Sequence, residues 1–163
     1  MGATLVPHLL FLLNFSPTLA IRLTFIGIIL CAGMGVYFWL ESGLGKPGAA
    51  LAGWIYMLLP PFLATIYVRG RLADASVMAL LPWLFFALYH FAQGPRRQQR
   101  LLYTSVFIIL MVWLWLTQAG LALFATLLLL GYTIWVTRDA WAVGINLLGG
   151  LVGAATLWPV WSV

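Results

Sequence analysis

Between Arg100 and Arg138 this chain carries no charged residue. A helix needs about 20 apolar residues to cross the hydrocarbon core of a bilayer. The run is too long for one crossing and suits two, provided it contains a turn. Thr117-Gln118-Ala119-Gly120 is its most polar point, and the turn is expected there. Other uncharged runs cover 23–40, 48–68, 75–91 and 140–158. Charged residues make up only 7% of the chain and hydrophobic ones 64%, whereas a soluble domain carries about 25% charged residues. Such a chain cannot clothe a water-facing surface. The expectation is an all-α fold, a polytopic transmembrane helical bundle. It forms a single transmembrane domain over 1–163, with about six spans near 22–40, 48–66, 75–92, 101–117, 120–137 and 140–158. Segment 4–15 is apolar but short and interrupted by Pro7, His8 and Asn14. It reads as an interfacial or re-entrant piece, and without a basic stretch before it, not as a secretory signal.

The net charge of +5 is not a nucleic-acid signature here. The basic residues are scattered or lie in loops, and no basic helix with interleaved aromatics exists. No nucleic-acid partner is expected; membrane lipids are. In a multi-pass protein of the inner (cytoplasmic) membrane, basic residues set orientation. Arg96, Arg97 and Arg100 form the only concentrated basic loop, which places 93–100 in the cytoplasm. Alternation then puts 41–47 and Arg138-Asp139 on the same side. Segment 69–74, the turn at Gln118 and the carboxyl end fall outside. Trp113, Trp115, Trp135, Trp141, Trp158 and Trp161 lie near the expected helix ends, where interfacial aromatics belong. Gly149 and Gly153, with Gly150 and Ala154 one residue on, have the spacing of close helix contacts. They fit packing inside this chain or a contact between copies. The single cysteine, Cys31, excludes an intrachain disulfide.

One polar island stands out: Tyr67-Val68-Arg69-Gly70-Arg71-Leu72-Ala73-Asp74. Charges are costly near a bilayer and mark working surfaces. Leu59-Pro60-Pro61 precedes it, and the two prolines should break the helix before them. Arg69 and Arg71 offer donors suited to phosphate, and Asp74 is a base, a metal ligand or their salt-bridge partner. Two readings stand. In one the island is a topogenic loop with snorkelling arginines. In the other, Arg69, Arg71, Asp74 and Tyr67 bind an anionic headgroup such as a lipid phosphate.

Other chemistry is sparse. His8 and His90 are candidate haem or pigment ligands, but neither has a second histidine at helical spacing. There is no phosphate-binding Walker loop, no HExxH and no CxxC. No acid lies in the middle of a span, which argues against proton-coupled transport. The residues name no catalytic group, no metal ligand and no cofactor.

The island also carries a resemblance. Gly33-Met34-Gly35-Val36-Tyr37, Ala49-Ala50-Leu51-Ala52-Gly53-Trp54-Ile55-Tyr56 and Leu59-Pro60-Pro61 through Asp74 resemble stretches of large multi-spanning bacterial membrane proteins. These are of the GT-C glycosyltransferase type, in the YfhO-like branch and among the 6-pyruvoyl-tetrahydropterin synthase-related membrane proteins. Leu80-Leu81-Pro82-Trp83 and Leu157-Trp158-Pro159-Val160 resemble later family positions. The match to a Tyr-x-Arg-Gly stretch followed by an acid is the most specific. GT-C enzymes transfer sugars from polyprenyl-phosphate donors, so the resemblance implies that Arg69 and Arg71 face a lipid-linked phosphate, such as a polyprenyl-phosphate-linked sugar. It also implies a partial module. The family's catalytic aspartate lies in a loop that would precede Met1, and Thr117-Gln118 stands where relatives carry a histidine. Such a chain would not transfer a sugar alone. The competing readings are a structural or accessory subunit beside other membrane subunits, as in a respiratory or photosynthetic complex, and a pigment- or haem-binding membrane protein.

The arginine distribution yields a first testable outcome. In a Cys31→Ser background, an impermeant maleimide applied to intact cells should label Ala73→Cys and spare Gln98→Cys. The opposite pattern would invert the topology.

Overall fold

The computed structural model describes residues 8, 10–11, 16–93, 97–137 and 140–156. Every regular element among them is helical. The chain divides into two compact units, Met1–Pro82 and Trp83–Val163. Of the 4–15 segment only His8, Leu10 and Phe11 are described, so its expected interfacial or re-entrant path lies outside the described residues. Arg96, Arg138, Asp139, Trp158, Trp161 and the closing Leu157-Trp158-Pro159-Val160 also lie outside them.

In the first unit, helix α1 runs Pro17–Met57. Ser16 caps it, its side chain accepting from the Leu19 amide at 3.4 Å, and Pro17 takes the first position. That position would leave an amide unpaired in any case. Gly45 interrupts the helix with φ 70°, ψ 170°, a conformation that glycine adopts without a Cβ penalty. Pro47 follows and contributes no amide hydrogen. The charged segment 41–47 is therefore a sharp kink, and α1 is two arms. The arms meet at glycines: a Cβ on Gly53 would lie 2.8 Å from the Gly33 carbonyl oxygen, and one on Gly33 would lie 2.7 Å from the Met57 sulfur. Only a bare Cα permits that approach.

The segment read as one span over 48–66 is two helical pieces. Pro60 and Pro61 start a new short helix, α2, at Pro60–Leu63. It continues as a π-helical turn over Ala64–Val68. Helix α3, Leu72–Gln93, completes the first unit and continues past Pro82 into the second. Phe62 and Ile66 pack with Ala32, Ala75 and Ala79 in one buried cluster. The Tyr56 hydroxyl donates to the Met78 carbonyl at 2.7 Å, tying the second arm of α1 to α3.

The second unit adds α4 (Arg97–Thr117), α5 (Ala119–Tyr132), a π-helical turn (Thr133–Thr137) and α6 (Ala140–Ala155). The turn in the long uncharged run sits at Gln118, which is extended at φ −159°, ψ 106° and caps α5. A Cβ on Gly149 would meet Phe107 and Met111, and one on Gly153 would run into the Trp115 indole ring. The contacts advance four residues on both helices together, so α4 and α6 run parallel. On the other edge, a Cβ on Gly150 would lie 3.0 Å from the Thr126 methyl. The glycine pairs are thus occupied inside the unit.

Many buried positions are small or hydroxyl-bearing, such as Ala20, Ala32, Ala49, Ala122, Ala125, Ala142, Thr65 and Thr133, and they lie among large ones such as Phe62, Leu84, Phe107 and Leu114. The large side chains Leu51, Trp54, Ile109 and Leu151 point outward, each about two-thirds exposed. Lipid is as apolar as leucine, so helices in a bilayer associate by close backbone packing and leave large apolar residues to the lipid. Three helices, Pro17–Met57, Leu72–Gln93 and Gln98–Thr117, are long and apolar enough to cross a membrane, and Ala119–Trp135 and Trp141–Ala155 are shorter apolar helices. The two arms of α1 with α3, α4, α5 and α6 give the all-α bundle of about six spans.

The two π-helical turns share a Thr-Ile-aromatic-Val pattern, Thr65-Ile66-Tyr67-Val68 in one and Thr133-Ile134-Trp135-Val136 in the other. Each threonine is buried, and its hydroxyl donates four residues back, Thr65 to Pro61 at 2.8 Å and Thr133 to Leu129 at 3.0 Å. Thr24 and Thr126 make the same bond inside regular α-helix, so the back-bond accompanies the π turns without by itself producing them. Tyr67 and Trp135 are both largely exposed, as interfacial anchors should be.

The glycine contact in α1 sets a stability prediction. Gly53→Ala should destabilise the detergent-solubilised protein by about 1–3 kcal/mol, the cost of overpacking. Gly27→Ala meets nothing within 4 Å and should be neutral or slightly stabilising. Equal thermal unfolding of the two variants would contradict the close crossing of the arms.

Candidate functional site

The island is the end product of the double-proline break. The amides of Leu58 and Leu59 close the last turn of α1 by donating to Trp54, Ile55 and Tyr56 carbonyls at 3.1–3.2 Å. Pro60 and Pro61 then sit in the first turn of α2, where no amide donor is needed. The Arg69 amide donates to Ala64 at 3.0 Å, closing the π turn. Gly70 reverses the backbone with φ +59°. Arg71 then donates its amide to the Thr65 carbonyl at 3.4 Å and accepts from the Ala75 amide at 3.1 Å, opening α3. A chain that needs a positive φ between two arginines uses glycine there.

This path separates the two arginines. Arg71 and Asp74 are three apart at the start of α3, and the Arg71 Nε lies 3.4 Å from the Asp74 Oδ2. The Arg71 side chain is 58% exposed and that of Asp74 only 8%. The other carboxylate oxygen, Oδ1, is buried and has no hydrogen-bond partner among the described residues. Asp74 lies in the first turn of α3, where the helix dipole favours negative charge. Arg69 is exposed, and its side chain makes no ion pair among the described residues. Tyr67, 75% exposed, stands beside it. The structure therefore joins Arg71 with Asp74 and leaves Arg69 and Tyr67 exposed in the same short segment.

The histidines lie elsewhere. His8 is exposed near the amino end. His90, in the last turn of α3, is enclosed by rings: Phe86 edge-on at 4.4 Å, Tyr89 at 5.5 Å and Tyr103 stacked at 5.2 Å. The described neighbours of the half-buried imidazole are thus aromatic rings.

Two polar features were not apparent from the sequence. Thr65 and Tyr56 position the island through backbone carbonyls. The Pro61-to-Thr65 spacing of four residues was the available signal. Asn146, in the middle of α6, is fully buried with both amide atoms unpartnered among the described residues. A search of the spans for ionisable groups passes over a lone carboxamide.

Long apolar helices that meet at glycine and alanine and leave many large apolar side chains exposed define an all-α membrane protein. Over residues 6–161 the chain matches the family model described as the 6-pyruvoyl-tetrahydropterin synthase related domain, a membrane protein, and it belongs to that family. No curated protein and no solved structure matches it.

Asn146 gives the prediction of this section. Burying an amide without partners costs about 1–3 kcal/mol, and replacing it by an apolar group of similar size removes that cost. Asn146→Leu should therefore raise the unfolding midpoint in detergent. A lower midpoint would show that the carboxamide is held by a partner.

Proposed function

We propose that this protein is a membrane module that holds a lipid-linked phosphate at the island, with Arg69 as the principal donor and Arg71 as the second. The observation that carries this reading is the inequality of the two arginines. Arg71 is tethered to Asp74, while Arg69 stands exposed one residue beyond the π turn. An exposed, unpaired guanidinium has its forked donors available, and that fork fits phosphate oxygens. Gly70 turns the backbone between the two arginines with φ +59°, and Arg69 takes no part in the Asp74 pair. Tyr67 supplies an amphipathic ring of the kind found at the headgroup level.

By the resemblance to GT-C-type proteins, the favoured ligand is a polyprenyl phosphate or its sugar-linked form, bound at the outer side of the cytoplasmic membrane. In this reading the chain binds and presents the lipid, and other membrane subunits would contribute the chemistry. Asp74, already paired with Arg71 and nearly enclosed, positions the island and is not assigned a catalytic role.

Native mass spectrometry with added polyprenyl phosphate tests the proposal. Arg69→Ala should weaken retention about tenfold or more, since one charge-assisted contact contributes about 1.5–3 kcal/mol. Arg69→Lys should recover only part of it, because a point charge does not replace a planar fork. Equal retention by wild type, Arg69→Ala and Arg71→Ala would overturn the headgroup reading and favour an accessory subunit.

A further inference from the structure

We infer that the groove between the two arms of α1 holds one acyl chain of a bilayer phospholipid, with the anionic headgroup of that lipid at Lys46. This site is separate from the island and does not depend on the headgroup reading there. The two arms enclose a groove of about 200 Å³ beside the Gly33–Gly53 crossing. Its rim is Leu30, Met34 and Trp54, each more than half exposed. Apart from the Tyr37 hydroxyl, its lining carries no polar side-chain group. No residue over 23–40 or 48–68 is charged, so the groove suits an uncharged, apolar occupant. An empty slot forfeits dispersion contacts along its walls, and a chain seated there restores them.

Depth and width select the occupant. Charges are costly within the hydrocarbon, so Glu41 and Lys46 put the kink at a membrane boundary. Along the second arm the groove runs from Ala50 to Met57. At 1.5 Å per residue these positions lie about 6 and 16 Å from Lys46. One leaflet of the hydrocarbon core is about 15 Å deep, so the groove covers the depth at which the chains of that leaflet lie. Its volume, spread over a rise of roughly 10 Å, leaves a cross-section of about 20 Å². A helix 10 Å wide covers about 80 Å². A partner helix does not enter such a slot, whereas a single hydrocarbon chain does.

The charge at the kink selects the headgroup. Lys46 is exposed and makes no ion pair among the described residues. Glu41, on the other arm, is partly buried. The Lys46 ammonium, four residues from Ala50, is available to a phosphate at the level from which the chain descends. A lysine near the membrane surface favours an anionic lipid over a zwitterionic one by about fivefold.

Phosphatidylglycerol and phosphatidylcholine with the same acyl chains test this in native mass spectrometry of the purified full chain. An Arg69→Ala background removes the exposed arginine of the island from the comparison. In that background the chain should retain phosphatidylglycerol about fivefold better. Lys46→Gln should abolish the preference, and Lys46→Arg should keep it. Met34→Trp, which fills the groove from its rim, should lower retention of both lipids. Leu51→Trp, at a position 63% exposed and outside the groove, should change neither. A preference that survives Lys46→Gln would overturn the headgroup assignment. Retention unchanged by Met34→Trp, or lowered equally by Leu51→Trp, would overturn the chain assignment. A dimer lost on Met34→Trp, with no lipid retained by the parent, would give the groove to a second copy. None of these outcomes bears on Arg69 as a phosphate donor.

Discussion

A bilayer interior offers no water to a backbone amide or carbonyl, so each must find its partner within the protein. The course of this chain from Trp54 to Asp74 follows from that constraint. Two consecutive prolines bring no donors and cannot sit inside a helix without leaving carbonyls open. The chain closes one helix before them with the amides of Leu58 and Leu59 and starts another on them. Thr65 bonds back to Pro61. The following turn widens, Gly70 takes a positive φ, and Arg71 returns its amide to Thr65. Each step is a local solution to a missing partner, and their sum brings two arginines to the end of a short loop.

The same constraint explains how the helices meet. With lipid as solvent, leucine gains little by being inside, and contact depends on how near two backbones can come. Gly33 with Gly53 in α1, and Gly149 and Gly153 against α4, are the places where the missing side chain is used. Trp115 fills the space at Gly153, although its position near a helix end suggested an interfacial anchor. Trp135 and Trp141, by contrast, are three-quarters or more exposed.

Much of this was legible in the sequence because it follows from single residues. The turn at Gln118 announced itself as the one polar point in a long uncharged run. The break at Pro60 needed only the absence of two amides, and Arg71 with Asp74 had the three-residue spacing of neighbours on a helix. The rest depended on three-dimensional partners. The spacing of Gly149 and Gly153 marked a contact but could not say whether α4 or another copy would fill it. Asp74 could be placed at a helix start, but not known to be nearly enclosed with an idle oxygen. Asn146 looked like one polar residue among apolar ones, and only packing shows that it is fully buried.

The central claim is that large apolar side chains face lipid while the island faces the aqueous boundary. Spin labels in nanodiscs read this directly through collisions with oxygen, which concentrates in lipid, and with a water-soluble nickel complex. Labels at Leu51 and Ile109 should collide mainly with oxygen, and a label at Val68, 82% exposed in the island, mainly with nickel. A label at Val68 that meets only oxygen, or labels at Leu51 and Ile109 open to nickel, would contradict the account.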